Sequence, residues 1–300
     1  MQHACACTVH AAARKQKRVA FSGMTAQSES RLADAVEALG CAFEQPVSGE
    51  DIYVVRGFAR RFGLDPDLAQ RQLREDYPHR SGTEPIEWGQ PQWVRGDHVA
   101  LRYRGNALAR EKMWFQCGDP KEGFVKYYYT GWQRKVLPAT SDVSSVSFLD
   151  KFVRDVNGWL RSYGQRSTNH FIVTAYERED CGIGLHSDKE KSIYDDSVIL
   201  VVKTGECGRP FVITENKRDE AVPNRELYNC VVPPGDAVLM SMKANLATKH
   251  GVPILKQPTG VSGSIVLRSI RERVEWDALA QELAKDAARA AKKRALGSDA

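Results

Sequence analysis

Seven of the 300 residues are cysteine, and no two are spaced as a Cys-x-x-Cys pair. An odd, scattered set of this kind builds neither a disulfide framework nor a zinc ribbon, and it suits a reducing, intracellular setting. Cys5, Cys7 and His10 match no zinc-binding spacing either. Long apolar runs are also missing. The longest, such as 198–202 and 237–240, are strand-length and far too short to cross a bilayer, so no membrane association is expected. Acid is absent from the first 18 residues, which carry Arg14, Lys15, Lys17 and Arg18. Residues 1–24 are expected to be a basic, disordered tail.

Hydrophobic residues make up 42% of the chain, enough for a sizeable core. The net charge of +5 is mild, but it is unevenly spread. Between residues 100 and 136 stand Arg102, Arg104, Arg110, Lys112, Lys121, Lys126, Arg134 and Lys135 against Glu111, Asp119 and Glu122. Aromatic residues interleave with these cations, as in Tyr127-Tyr128-Tyr129 and Trp132. Rings that stack on bases beside cations that pair with phosphates suit a nucleic-acid partner, and packing of strand aromatics in the core is the plainer alternative.

Apolar periodicity predicts a helix over 29–39 with Gly40 as its stop, and Asp65-Pro66 opens another through Leu73. The strongest helical pattern runs from Ser147 to Tyr163. Residues 77–97, rich in proline, glycine and polar side chains around Trp88 and Trp93, read as a long ordered loop. Strands are expected over 52–58, 98–104, 112–116 and 124–129, and then over 197–204, 210–214, 226–232, 236–242 and 264–270. No helix is expected between Gly182 and Ile270. The fold class is therefore mainly β with flanking helices, its core a double-stranded β-helix of the jelly-roll or cupin-like kind. Four regions are expected: the tail, a small helical extension over 25–50, the main β domain over 51–272, and a basic C-terminal helix over 273–300.

The chemistry centres on residues 169–190. An apolar strand and a glycine-containing turn lead into His186-x-Asp188, and residues two apart on extended backbone share a face. A third ligand is expected from a distant strand, and His250, in Lys249-His250-Gly251-Val252-Pro253, is the candidate. His170 and His98 are weaker ones, each lacking a carboxylate two residues on. Two histidines and one carboxylate leave three open positions, the set that non-haem Fe(II) oxygenases use. Downstream, Arg268 closes an apolar strand and offers a guanidinium to a carboxylate.

At these residues the sequence resembles the AlkB-type Fe(II)- and 2-oxoglutarate-dependent dioxygenases, and more loosely the branch found in plant RNA virus replicases. His186-x-Asp188-x-Glu190 satisfies that family's His-x-Asp-x-Asp/Glu pattern, and Tyr176 matches its cosubstrate-contacting tyrosine. The family's Arg-x-Asn/Ser-x-Thr-x-Arg falls on 262–268, where Ser264 and Arg268 match. Ser262 and Val266 stand where Arg and Thr are expected, and Lys203 or Lys256 is left to replace the missing cation. The resemblance implies an enzyme using Fe(II), 2-oxoglutarate and O2 to demethylate N-alkylated bases in RNA or DNA, and the chain is expected to be a monomer. It implies metal ligation by His186, Asp188 and His250 and cosubstrate contacts from Arg268, Tyr176 and Ser264. Substrate contacts are expected from Glu190, Tyr127, Tyr129 and Trp132. The rivals are a hydroxylase of a protein side chain, metabolite or pyrimidine methyl, and a non-catalytic nucleic-acid-binding module.

Overall fold

A computed structural model describes residues 27–87, 89–98, 101, 107–118, 123–128, 136–138, 141–188, 191–217, 224–256 and 260–275, with 278, 281 and 285. The larger sheet has ten strands, numbered along the chain. From one edge they run β1 (Phe43–Glu44), β2 (Ile52–Val55), β14 (Ala237–Ser241), β11 (Val198–Gly205) and β16 (Ser262–Arg268). The order continues through β9 (His170–Tyr176), β5 (Glu111–Gln116), β4 (Trp93–Val94) and β3 (His79–Arg80), with β8 (Ser141–Asp142) also on β5. The smaller sheet is β10 (Ile183–His186), β15 (Thr248–Val252), β12 (Arg209–Glu215) and β13 (Glu226–Val232). A third sheet holds β17 (Arg273–Val274), β6 (Phe124–Tyr128) and β7 (Val136–Pro138).

The central strand β11 is buried along its whole length, because each of its faces is covered by a different layer. Val198, Leu200 and Val202 point into one apolar cluster and Ile199 and Val201 into another. The first cluster lies under helices. It takes Leu149, Phe152, Val153, Val156 and Leu160 from α4 (Ser147–Ser162), and it also holds residues of α1 (Gln27–Glu37), α2 (Phe58–Arg61) and α3 (Pro66–Asp76). The second cluster joins the two sheets, with Phe211, Ile213, Val232 and Val252 of the smaller sheet meeting Ile199, Val201 and Val238 of the larger. The molecule is thus mainly β with a jelly-roll-like core, helices outside one face and a barrel interior behind the other.

The helix expected at Asp65-Pro66 forms as α3, with the Asp65 side chain accepting from the backbone N–H groups of Asp67 and Leu68. Four sequence-based expectations need correction. α5 (Met242–Ala247) interrupts the run of strands expected to be free of helix. It is too short for periodicity to reveal, and its cap, Ser241 on the N–H of Ala244, is what defines it. His98 is not the start of a strand, because the N–H of Leu101 closes a turn onto the His98 carbonyl. The loop expected over 77–97 contains the parallel pair β3 and β4, pinned where the Trp93 indole donates to the Leu73 carbonyl. Arg273–Val274, expected in the C-terminal helix, are strand residues against β6. Among the described residues no helix is long and apolar enough to cross a membrane. Residues 1–24, Trp88 and most of 276–300 lie outside the described residues.

Candidate metal centre

His186 ends β10, and His250 sits opposite it on β15, with a register shift between Ile183 and His186. That shift needs the two strands to approach closely. A Cβ added at Gly251 would stand 2.8 Å from the Ile183 carbonyl oxygen, so only glycine lets β15 lie this near β10. Gly251→Ala is expected to spread the strands and move His250 away from His186. Fe(II) affinity should fall roughly 10- to 100-fold, the range seen when support around a metal ligand is lost. An unchanged affinity in an anaerobic Fe(II) titration would refute this.

The loop after β10 brings Asp188 to the same point. One ligand atom each from His186, Asp188 and His250 can be chosen so that all lie within 4.8 Å of one another. His186 Nδ1 is 2.9 Å from the Gly184 carbonyl, so that nitrogen carries the proton and Nε2 keeps its lone pair. This Nε2 is 3.7 Å from Asp188 Oδ1. The ring of His250 stacks on Phe211, with centroids 5.8 Å apart and planes 15° apart, and it lies 4.5 Å from the ring of His186. Burial, and after it His186, pushes His250 down to about 3, so it is a neutral imidazole. Its buried Nδ1 has no hydrogen-bond partner.

Asp188 is the charged member. Burial opposes its ionisation, but Arg268 first and then His250 and His186 outweigh it and hold the carboxyl down at about 2. Arg268 grips it bidentately, with Nε on Oδ2 at 2.7 Å and Nη2 on Oδ1 at 3.0 Å. The backbone is clamped as well. The N–H of Asp188 donates to Asn245 Oδ1 at 2.8 Å, and Asn245 Nδ2 donates to the Asp188 carbonyl at 3.0 Å. Ser187 adds a bond to the Thr248 carbonyl, tying this loop to the start of β15. Two neutral imidazoles and a carboxylate, one imidazole with an orphaned ring nitrogen, fit a divalent cation with open positions.

Two of the three cosubstrate residues read from the sequence meet below this point. Tyr176 and Ser264 share a side-chain hydrogen bond on adjacent strands. Arg268 is elsewhere: its fork lies on Asp188 rather than beside Tyr176. Of the two lysines left open, Lys203 is fully buried and Lys256 is exposed. The backbone of Tyr127 lies in β6 opposite Leu137. Its side chain, together with Glu190, Tyr129 and Trp132, lies outside the described residues.

Sequence reasoning missed Asn245 and Arg209. Arg209 is fully buried, and it donates to Ser262 Oγ at 2.6 Å and to the carbonyls of Cys181, Tyr176 and Arg178. Nothing local in the sequence marks Asn245. The one available signal was an arginine inside an otherwise apolar strand pattern, Arg209-Pro-Phe-Val-Ile213.

No family model matches the sequence. No curated protein does either. Solved structures with a similar fold include OsALKBH1, at 14% identity and a TM-score of 0.45 over 76% of this chain and 100% of that one. An oxidoreductase of the 2OG-Fe(II) oxygenase family from Burkholderia pseudomallei gives 11% identity and a TM-score of 0.40, covering 86% and 96% of the two chains. A bsmA homolog from Methylobium petroleophilum gives 12% and 0.42, covering 81% and 96%. The identities are low and the superpositions loose, so the chain's own residues carry the reading that follows.

Proposed function

We propose that this chain is an Fe(II)- and 2-oxoglutarate-dependent oxygenase, a reading carried by the convergence of His186, Asp188 and His250 from β10, its following loop and β15. Fe(II) held by these three residues would supply, with O2 and 2-oxoglutarate, oxidation of a substrate C–H bond, the cosubstrate leaving as succinate and CO2.

The chain's part is placement and exclusion of water. Gly184 sets the tautomer that leaves His186 Nε2 free, and Phe211 fixes the plane of His250. Arg268 and Asn245 hold Asp188 ionised and correctly turned before any ligand arrives. Ile199, Val201 and Ile213 line the interior with apolar surface, which keeps bulk water from the reacting centre.

The substrate class proposed with it is an N-alkylated base in RNA or DNA. What supports this is the His186-x-Asp188-x-Glu190 pattern and the excess of Lys and Arg over acids between residues 100 and 136. Hydroxylation of an N-methyl group gives a hydroxymethyl amine that collapses to formaldehyde and the restored base. The base must be unpaired or flipped out to reach the centre.

The test is incubation with methylated oligonucleotides while succinate and formaldehyde are followed together. Equal yields are expected. Succinate without formaldehyde from any methylated RNA or DNA would overturn the base as substrate and leave the oxygenase. No succinate in the presence of Fe(II), O2 and 2-oxoglutarate would overturn both.

A further inference from the structure

The barrel interior is unbalanced in charge. Among the described residues, the buried charged side chains on the inward faces of β5, β11, β12 and β16 are Lys112, Lys203, Arg209 and Arg268. Among the described residues the only buried carboxylate beside them is Asp188, since the other buried one, Asp236, is paired with Arg56. Asp188 is already gripped by Arg268, and the guanidinium of Arg209 is spent on three backbone carbonyls and Ser262. Lys203 Nζ is different: it is buried and has no hydrogen-bond partner. An ammonium left so is costly, and such a group in a folded protein calls for a ligand.

The surroundings say what kind. Lys203 follows Ile199 and Val201 along the inward face of β11 and stands opposite Ser264 on β16. Its ammonium lies 5.7 Å from the centre of the Tyr176 ring, whose hydroxyl is bonded to Ser264. Ser264 is four residues from Arg268 on the same face of β16, two rungs below the Asp188 end of the site. One end of the barrel therefore presents the metal-ligand set, and deeper in the same interior lies a lysine without a counter-ion beside a tyrosine and a serine. The position across from Tyr176 on β16, where the resemblance calls for arginine, is Ser262, and Arg209 from β12 fills that space instead.

Resting on the oxygenase reading above, we propose that Lys203, with Tyr176 and Ser264, holds the distal carboxylate of 2-oxoglutarate, so that the cosubstrate's anchoring cation has moved from β16 to β11. Arg268 is released from that role and serves as the positioning residue for Asp188. A carboxylate in this place meets an ammonium and a hydroxyl in a water-poor interior, where charge-assisted hydrogen bonds are strong. Burial, and next Arg209, bring the ligand-free lysine down to about 8. The ionisable groups facing it are Arg209 from β12, Tyr176 from β9 and, more weakly, Cys207 beyond the end of β11. Burial holds the Tyr176 hydroxyl above its ordinary range, so it does not lose its proton where the lysine does.

The test compares 2-oxoglutarate with 2-oxopentanoate, which has the same carbon chain without the distal carboxylate. Binding of each to the Fe(II)-loaded full chain is followed without oxygen by the charge-transfer absorption of the bound 2-oxo acid, so turnover is not involved. Wild type should prefer 2-oxoglutarate. Lys203→Met, which fills the same space without charge, and Lys203→Gln should each lose about 10- to 100-fold of that preference, the worth of a charge-assisted contact. Fe(II) affinity and 2-oxopentanoate binding should stay as in wild type. Variants that keep the full preference overturn this inference and leave the proposed function standing. A wild-type chain that binds neither acid overturns the proposed function itself. If neither variant folds, wild type still decides: its preference should decline as pH rises through about 8, and a preference flat from about pH 6.5 to 9.5 overturns the inference.

Discussion

His186→Ala is expected to cut Fe(II) affinity by more than ~100-fold and to remove 2-oxoglutarate turnover with it, because a lost ligand costs more than the support around one. The folded chain should survive. The His186 side chain is 38% exposed, and its ring is held by a single bond to Gly184, so truncation leaves no buried hole and no stranded charge. Circular dichroism and urea unfolding should match wild type while anaerobic Fe(II) titration does not. A variant that keeps tight Fe(II) binding would remove His186 from the metal set, and one that keeps turnover would end the proposed chemistry.

The second large effect is on stability. Arg268→Met leaves Asp188 ionised and buried with its main partner gone, and breaking such a pair from one side costs about 3–5 kcal/mol. The pair's two side chains are 7% and 2% exposed, so water cannot compensate. Adding Asp188→Leu should restore much of the loss, since replacing both charges by apolar groups of similar size is close to neutral. Urea unfolding of the metal-free single and double variants measures the cycle, and a single variant within about 1 kcal/mol of wild type would contradict it.

The pair also sets an acid limit. Because the Asp188 carboxyl is held at about 2, below its unfolded value of 3.8, its contribution is fully present above pH 3.8 and is lost as pH falls toward 2. In Arg268→Met that part of the acid transition should move to higher pH. The same geometry fixes the Arg268 fork on Asp188 rather than beside Tyr176.

Much of the fold was legible because its signals are local. Alternation marked the strands, and α3 and α4 followed from a proline-aspartate cap and a clean apolar stripe. β11 showed as a short continuous apolar run, as a strand covered on both faces must. What failed was also local. α5 is six residues long, and β3, β4 and β17 are two each, lengths at which no period can be counted. Their existence depends on caps and on partners far away in the chain.

The site divides along the same line. His186-x-Asp188 is a sequence feature because extended backbone dictates which side chains share a face, and His250 was visible beside a Gly-Val-Pro turn. The amino-acid order by itself determined the strand pattern, the residue types of the candidate metal set and the lack of arginine at position 262. Only the tertiary structure decided which cation answers which anion. Arg268, Lys203 and Arg209 lie on three different strands, and register across β9, β16 and β11, with the packing of β12 from the smaller sheet, sets their distances from Asp188 and Tyr176. Charge pairing in a closed interior depends on separations of a few ångströms between segments dozens of residues apart, and a linear sequence carries no such distance.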